Sequence, residues 1–160
     1  MPILEKKKTL TGLSVKEAMR RQVIYLPQNA TIDNGINSLI KYKINAFLTK
    51  DENGLPVGVV SKTDIMGAYY ACLPLEAPLD NIMSSPPLFC SPNDSLESAL
   101  DIMRSNGIYR LYVTGERPEE VVGAFAYPDI VGLLYRYCHE CEYSHQRQKR
   151  KKQTDASIRR

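Results

Sequence analysis

A hydroxyl followed three residues later by a carboxylate, where a strand gives way to a helix, is the most informative chemistry in this chain. It lies in Gly58-Val-Val-Ser61-Lys-Thr-Asp64. Asp64, on the first helical turn, can accept hydrogen bonds from both hydroxyls of a ribose. Ser61 and the free N–H groups of the helix start can meet a phosphate. The same spacing also suits a plain helix cap, with Ser61 as N-cap and Asp64 as an acid favoured by the helix dipole. A second junction reads Ala126-Tyr-Pro-Asp129. It keeps the carboxylate, has Ala126 in place of the hydroxyl, and loses an N–H at Pro128. Both losses fall on the phosphate side. This second site is expected to stand empty or to take a ligand with a neutral or positive 5′ substituent, and Asp129 also reads as a helix-start acid.

Other chemistry is sparse. The histidines are His139 and His145, both near the C-terminal end, and there is neither a P-loop nor a glycine-rich dinucleotide turn. Without a nucleophile, base or metal centre in the body, a binding module is expected rather than an enzyme, with no cofactor required. Cys138, Cys141 and His145 are spaced i, i+3, i+7 and would align on a continued helix. Thiolates and imidazole can hold zinc, with Glu142, His139 or a partner chain as fourth ligand. The competing reading, which we favour, is an apolar stripe of Ile130, Leu134, Tyr137 and Cys141, with no metal bound.

The two junctions exist because the chain repeats itself. Val15-Lys-Glu-Ala-Met19 matches Leu79-Asp-Asn-Ile-Met83, Asn29-Ala-Thr-Ile32 matches Asn93-Asp-Ser-Leu96, and Ile44 matches Ile108, all offset by 64. Gly58-Val-Val matches Gly123-Ala-Phe and Asp64-Ile-Met-Gly67 matches Asp129-Ile-Val-Gly132, offset by 65. One extra residue in the Thr114–Glu120 loop reconciles the offsets. Each repeat reads β-α-β-β-α. Val23-Ile-Tyr-Leu is a short strand closed by Pro27, and Thr31 caps a helix carrying Ile32, Ile36, Leu39 and Ile40. Phe47-Leu-Thr and Val57-Gly-Val-Val flank the hairpin signal Asp51-Glu-Asn-Gly54. A second helix starts near Lys62 and runs through Tyr69-Tyr70. In the second repeat Asp94 or Ser95 caps a helix with Leu96, Leu100 and Met103. Leu111-Tyr-Val and Val121-Val-Gly-Ala-Phe form its hairpin, and Pro128 suits the first turn of the last helix. Neither half buries much core alone, so the two are expected to pack sheet against sheet.

This doubled grammar resembles the CBS domain family, and the tandem resembles a Bateman module, over about residues 13–137. The resemblance is carried by Val15-Lys-Glu-Ala-Met19, by Gly107-Ile-Tyr-Arg-Leu-Tyr-Val113 and by the Ser61-x-x-Asp64 signature. It implies an α+β fold of two repeats related by a pseudo-twofold, with repeat 1 over 13–72, repeat 2 over 73–137, and a Cys/His segment and basic tail over 138–160. It implies clefts that bind AMP, ADP, ATP or S-adenosylmethionine. Carried onto this chain, Asp64 holds the ribose and Ser61 the phosphate. The backbone at Val59 and the first strand near Val23 flank the adenine. Asn45, Tyr109 and Arg110 precede the hairpin strands and face the clefts, and the guanidinium fork of Arg110 suits a phosphate. Asp129 serves the second cleft. The resemblance further implies a homodimer through helix surface of the kind offered by Ile65, Met66 and Tyr69 and by Ile130, Leu133 and Leu134, part of which must pack internally, and an effector, either a partner protein or a fused domain. The rival is an interaction protein with vestigial clefts, working through its Cys/His segment and tail.

Bulk properties fit this picture. The 160 residues are 43% hydrophobic and 24% charged, as in ordinary globular chains. No apolar run approaches membrane-spanning length, the start lacks the apolar core of a signal peptide, and four scattered cysteines suit a reducing cytoplasm. Charge is uneven: residues 1–145 hold 14 Lys and Arg against 17 Asp and Glu, whereas 146–160 hold seven against one. A phosphate site in the body must therefore use local donors. The tail, with like charges and no apolar face, reads as a solvated, disordered extension; contact with nucleic acid or anionic lipid is the lesser alternative.

Overall fold

The computed structural model describes residues 12–117 and 119–135, together with 153, 156 and 158. Cys138, Cys141, His145 and the basic run 146–152 lie outside the described residues. The elements run α1 (Val15–Ala18), β1 (Tyr25–Pro27), α2 (Ile32–Lys41), β2 (Ala46–Lys50), β3 (Pro56–Ser61), α3 (Lys62–Tyr70), β4 (Phe89–Cys90), α4 (Leu96–Asn106), β5 (Arg110–Thr114), β6 (Val121–Ala126) and α5 (Tyr127–Leu133). This is a mixed α+β chain with two three-stranded sheets, β1-β2-β3 and β4-β5-β6. Among the described residues no helix is long and apolar enough to cross a membrane.

Helices α2, α3 and α4 begin where a short polar side chain offers itself to the backbone. Thr31 Oγ1 accepts from the Asn34 N–H at 3.1 Å, and the Asn34 amide oxygen accepts back from the Thr31 N–H at 3.1 Å. Ser95, not Asp94, caps α4, its Oγ accepting from the Ser98 N–H at 3.1 Å. The hairpin forms as expected: the Asp51 carboxylate accepts from the N–H groups of Asn53 and Leu55, both at 2.9 Å. Strand β1 starts two residues later than its apolar run, because pairing decides it. The Ile24 carbonyl takes the Leu48 N–H at 3.0 Å, and Tyr25, Leu26 and Pro27 then lie parallel to Leu48, Thr49 and Lys50. Pro27 is tolerated because β1 is an edge strand. After α4, Gly107 turns left-handed at φ 62, and its repeat counterpart Lys43 does the same at φ 51. Glycine does so freely, whereas a residue with a Cβ is strained there.

One compact unit comprises Arg20–Ser91 and Leu111–Ala124. Its core gathers Ile32, Leu39, Phe47, Val60, Ala68, Ala77 and Leu79, with Ile65 and Met83 packed against them. The other unit joins α1, α4, the end of β6 and α5, burying Val15, Leu96, Met103, Phe125 and Ile130. The units therefore do not follow the sequence repeats, because the lead-in to each repeat pairs with the other repeat. The Val15 and Lys16 N–H groups donate to the Asp94 and Pro92 carbonyls, at the start of α4. The 78–80 segment makes the equivalent contact at the start of α2, with the Leu79 N–H 2.8 Å from the Ala30 carbonyl. Arg20 bridges to Ala124 on β6, and Ser84 bridges to Val59 on β3. Gly58 makes the last of these possible. A Cβ there would lie 2.5 Å from the Met83 sulfur and 2.8 Å from Thr49 Oγ1, so the bare backbone lets the linker lie on the strand.

Candidate functional site

Strand β3 delivers Ser61 to the first turn of α3, and Asp64 folds back onto it. The Ser61 N–H donates to Asp64 Oδ2 at 2.8 Å, the Ser61 hydroxyl donates to the same oxygen at 3.0 Å, and the Asp64 N–H donates to Ser61 Oγ at 3.2 Å. Both side chains are half-buried. Among the described residues all contacts to the carboxylate run through Oδ2, which leaves Oδ1 to accept from outside the turn. The pair thus satisfies a helix cap and presents a fixed carboxylate oxygen at the same time. Asn45 stands beside it: its carbonyl accepts the Lys62 N–H at 3.0 Å, and Ala46 lies opposite Ser61 in the β2–β3 ladder.

Val59 is placed two residues before Ser61 on the strand edge facing away from β2. Its N–H and carbonyl are both taken by Ser84, at 2.9 Å each, and the Ser85 hydroxyl donates to the Val57 carbonyl at 2.7 Å. A ligand beside this edge therefore meets the Val59 side chain, not free backbone groups. Val23 is half-buried and lies ahead of β1, between the Arg20 bridge and Tyr25.

The second junction repeats the wiring with different side chains. The Ala126 N–H donates to Asp129 Oδ2 at 2.9 Å, and the Tyr127 N–H donates to the Tyr109 carbonyl at 3.2 Å. Ala126 contributes no hydroxyl, so only the carboxylate half of the cap exists. Where the first junction has Asn45 and Lys62, the second has Tyr109 and Tyr127. These two rings meet edge to face with centroids 5.4 Å apart. Arg110 is half-buried as the first residue of β5.

The structure thus gathers Ser61, Asp64, Asn45 and Val59 at one junction and Tyr109, Arg110 and Asp129 around the other. Sequence reasoning missed four neighbours. Lys62 and Tyr127 were legible, since the repeat offset aligns them and places both at the first helical position. Ser84 and Ser85 were not, because only tertiary pairing brings the linker to β3. Among the described residues no group of three or more His, Cys, Asp or Glu side chains is placed to hold a metal ion.

The sequence model described as "CBS domain" matches residues 15–71 and again 79–136. A homoserine O-acetyltransferase of Methanococcoides burtonii is 29% identical over 126 residues, which span 78% of this chain and 25% of that protein. The chain spans less than half the length of the curated relatives it matches. Among solved structures, a CBS domain protein from Pyrobaculum aerophilum complexed with AMP is 28% identical, with a TM-score of 0.67 over 73% of this chain and 89% of that one. A CBS domain pair in complex with 5-methylthioadenosine and S-adenosyl-L-methionine is 24% identical and shares the fold, with a TM-score of 0.69 over 76% of this chain and 95% of that one.

Proposed function

Because the chain belongs to the CBS domain family and carries two such domains in tandem, we propose that it is a regulatory module that binds an adenosine-containing ligand and is not itself a catalyst. The observation that carries this reading is the Asp64 carboxylate, held by Ser61 through one oxygen with the other left to accept. A ribose diol is a ligand of the right chemistry: two adjacent hydroxyl donors for one carboxylate. The AMP complex of the Pyrobaculum relative supports a nucleotide, and the 5-methylthioadenosine and S-adenosyl-L-methionine complex supports the wider adenosine class. In this reading Ser61 belongs to the phosphate side of the first site, Val59 and Val23 to the base, and Asn45 and Tyr109 to the rims of the two sites. At the second site Asp129 holds a ribose, and Arg110 is the side chain suited to any phosphate there, where the Ser61 hydroxyl has no counterpart.

The signal passes to a partner protein or to a fused domain, as the partial coverage of the longer relatives suggests. The module acts as a cytoplasmic homodimer. Met66, Tyr69 and Tyr70 leave much of their surface on α3 open to water, at 48%, 72% and 76% exposed, and offer an apolar face for a second copy.

A thermal-shift panel of adenosine, AMP, ADP, ATP, S-adenosylmethionine and zinc tests the reading, since a ligand that binds only the folded state raises its melting temperature. An adenosine ligand is expected to give the shift. The competing reading draws on α2, where Thr31 and Asn34 form the same cap as Ser61 and Asp64. A response to zinc alone would favour that reading, with Ser61 and Asp64 as a cap only and the Cys138/Cys141/His145 segment as the working part.

A further inference from the structure

The Ser61 junction poses a problem for any phosphate that approaches it. Most of its backbone and hydroxyl donors are already in use, and those left, on Thr63, carry no charge. The Ser61 N–H and hydroxyl both donate to Asp64, the Asp64 N–H donates to Ser61, and the Lys62 N–H donates to Asn45. The one full charge these contacts fix in place is the carboxylate, which repels a phosphate. Residues 1–145 carry a net negative charge, so no general positive field offsets it. Neutral N–H groups at a helix start suit an anion only where they are free. The charge must come from a side chain on the junction itself.

Lys62 is that side chain. It is exposed, sits at the first position of α3 between Ser61 and Asp64 in sequence, and is fixed at its backbone by Asn45. The chain also contains its own contrast. The same backbone bond at the second junction anchors Tyr127, whose ring packs on Tyr109 and carries no charge. Two junctions with one wiring thus differ at this position by a cation against an aromatic ring. We propose that Lys62 is the residue by which the first site reads phosphate, making that site selective for phosphorylated adenosine over adenosine itself. This rests on the ligand class proposed above and assigns its charge selectivity to one residue. The ammonium is a mobile point charge on a flexible stem, so it follows a phosphate without disturbing the cap.

Calorimetry with adenosine, AMP and ATP on the wild type, Lys62→Gln and Lys62→Arg tests the assignment. Lys62→Gln should weaken AMP binding by about three- to tenfold and ATP binding by more, the range expected of a charge-assisted contact near the surface. Adenosine affinity should stay within about twofold, since the ribose contact is untouched. Lys62→Arg should keep the preference for phosphate, and the salt dependence of AMP binding should flatten in Lys62→Gln alone. Equal losses for adenosine and AMP, or no loss for AMP, overturn the assignment while leaving the ligand class intact. Failure of all three ligands to bind the wild type overturns the ligand class, and this assignment with it.

Discussion

In the proposed reading Asp64 does two things, capping α3 and holding a ribose, and the chain contains the means to separate them. Replacing it with alanine removes the acceptor of two hydrogen bonds, from the Ser61 N–H at 2.8 Å and the Ser61 hydroxyl at 3.0 Å. Loss of such a cap costs about 1 kcal/mol, and loss of a negative charge at the helix start adds about 0.3–1 kcal/mol. In a chain of this size that lowers the melting temperature by about 2–8 °C. Asparagine should behave differently. At Thr31–Asn34 an amide oxygen already fills this role, 3.1 Å from the Thr31 N–H and 2.8 Å from the Thr31 hydroxyl. Asp64→Asn should therefore keep the cap and lose only the dipole contribution, about 0.3–1 kcal/mol. It cannot keep the ligand contact. With Oδ1 of the amide turned to Ser61, an NH2 donor replaces the oxygen that faces the ribose. A hydrogen bond to a charged acceptor contributes about 1.5–3 kcal/mol against about 1 kcal/mol for a neutral one. Two such bonds make the expected loss of AMP affinity about tenfold or more. Urea unfolding and calorimetry with AMP and 2′-deoxy-AMP would measure both effects. The deoxy ligand should bind the wild type less well than AMP does, and should bind Asp64→Asn almost as well as AMP does. Unchanged AMP affinity in Asp64→Asn refutes the ribose contact. A stability loss as large as that of Asp64→Ala refutes the transfer of the Thr31–Asn34 geometry.

Asp129→Ala should reduce AMP affinity less than Asp64→Ala does, because its junction lacks the Lys62 charge; calorimetry on the two variants compares them directly. Lys43→Gly should stabilise the chain and Gly107→Ala destabilise it, each by about 1 kcal/mol, since both positions are left-handed and only glycine adopts that conformation without strain. Equilibrium unfolding reads the two signs, and a loss of stability in Lys43→Gly would contradict the account. Light scattering at high concentration should show a dimer that Tyr69→Glu weakens; a strict monomer in the wild type would count against the α3 face as an interface.

Local physics made much of this protein legible in advance. The repeat offsets of 64 and 65, the Thr31 and Ser61 caps, the Asp51–Gly54 hairpin and the helical spacing of Ile32, Ile36 and Leu39 each depend on residues a few positions apart. Their consequences could therefore be worked out without a fold. The Ser61–Asp64 pair belongs to this class, and so does the loss of the hydroxyl at Ala126. Position β1 was legible only in part: the apolar run begins at Val23, but the strand begins where β2 offers Leu48. Other features depended on residues far apart in sequence. That Ser84 occupies the edge of β3, that Arg20 pairs with Ala124, and that Gly58 stays bare to admit Met83 follow from each repeat's lead-in crossing to the other repeat. No spacing along the chain encodes that exchange. The commitment of the Ser61 donors to Asp64, from which the proposal for Lys62 starts, likewise became visible only in three dimensions. A hydroxyl in a sequence shows that a donor is present; only the folded backbone shows whether that donor is already in use.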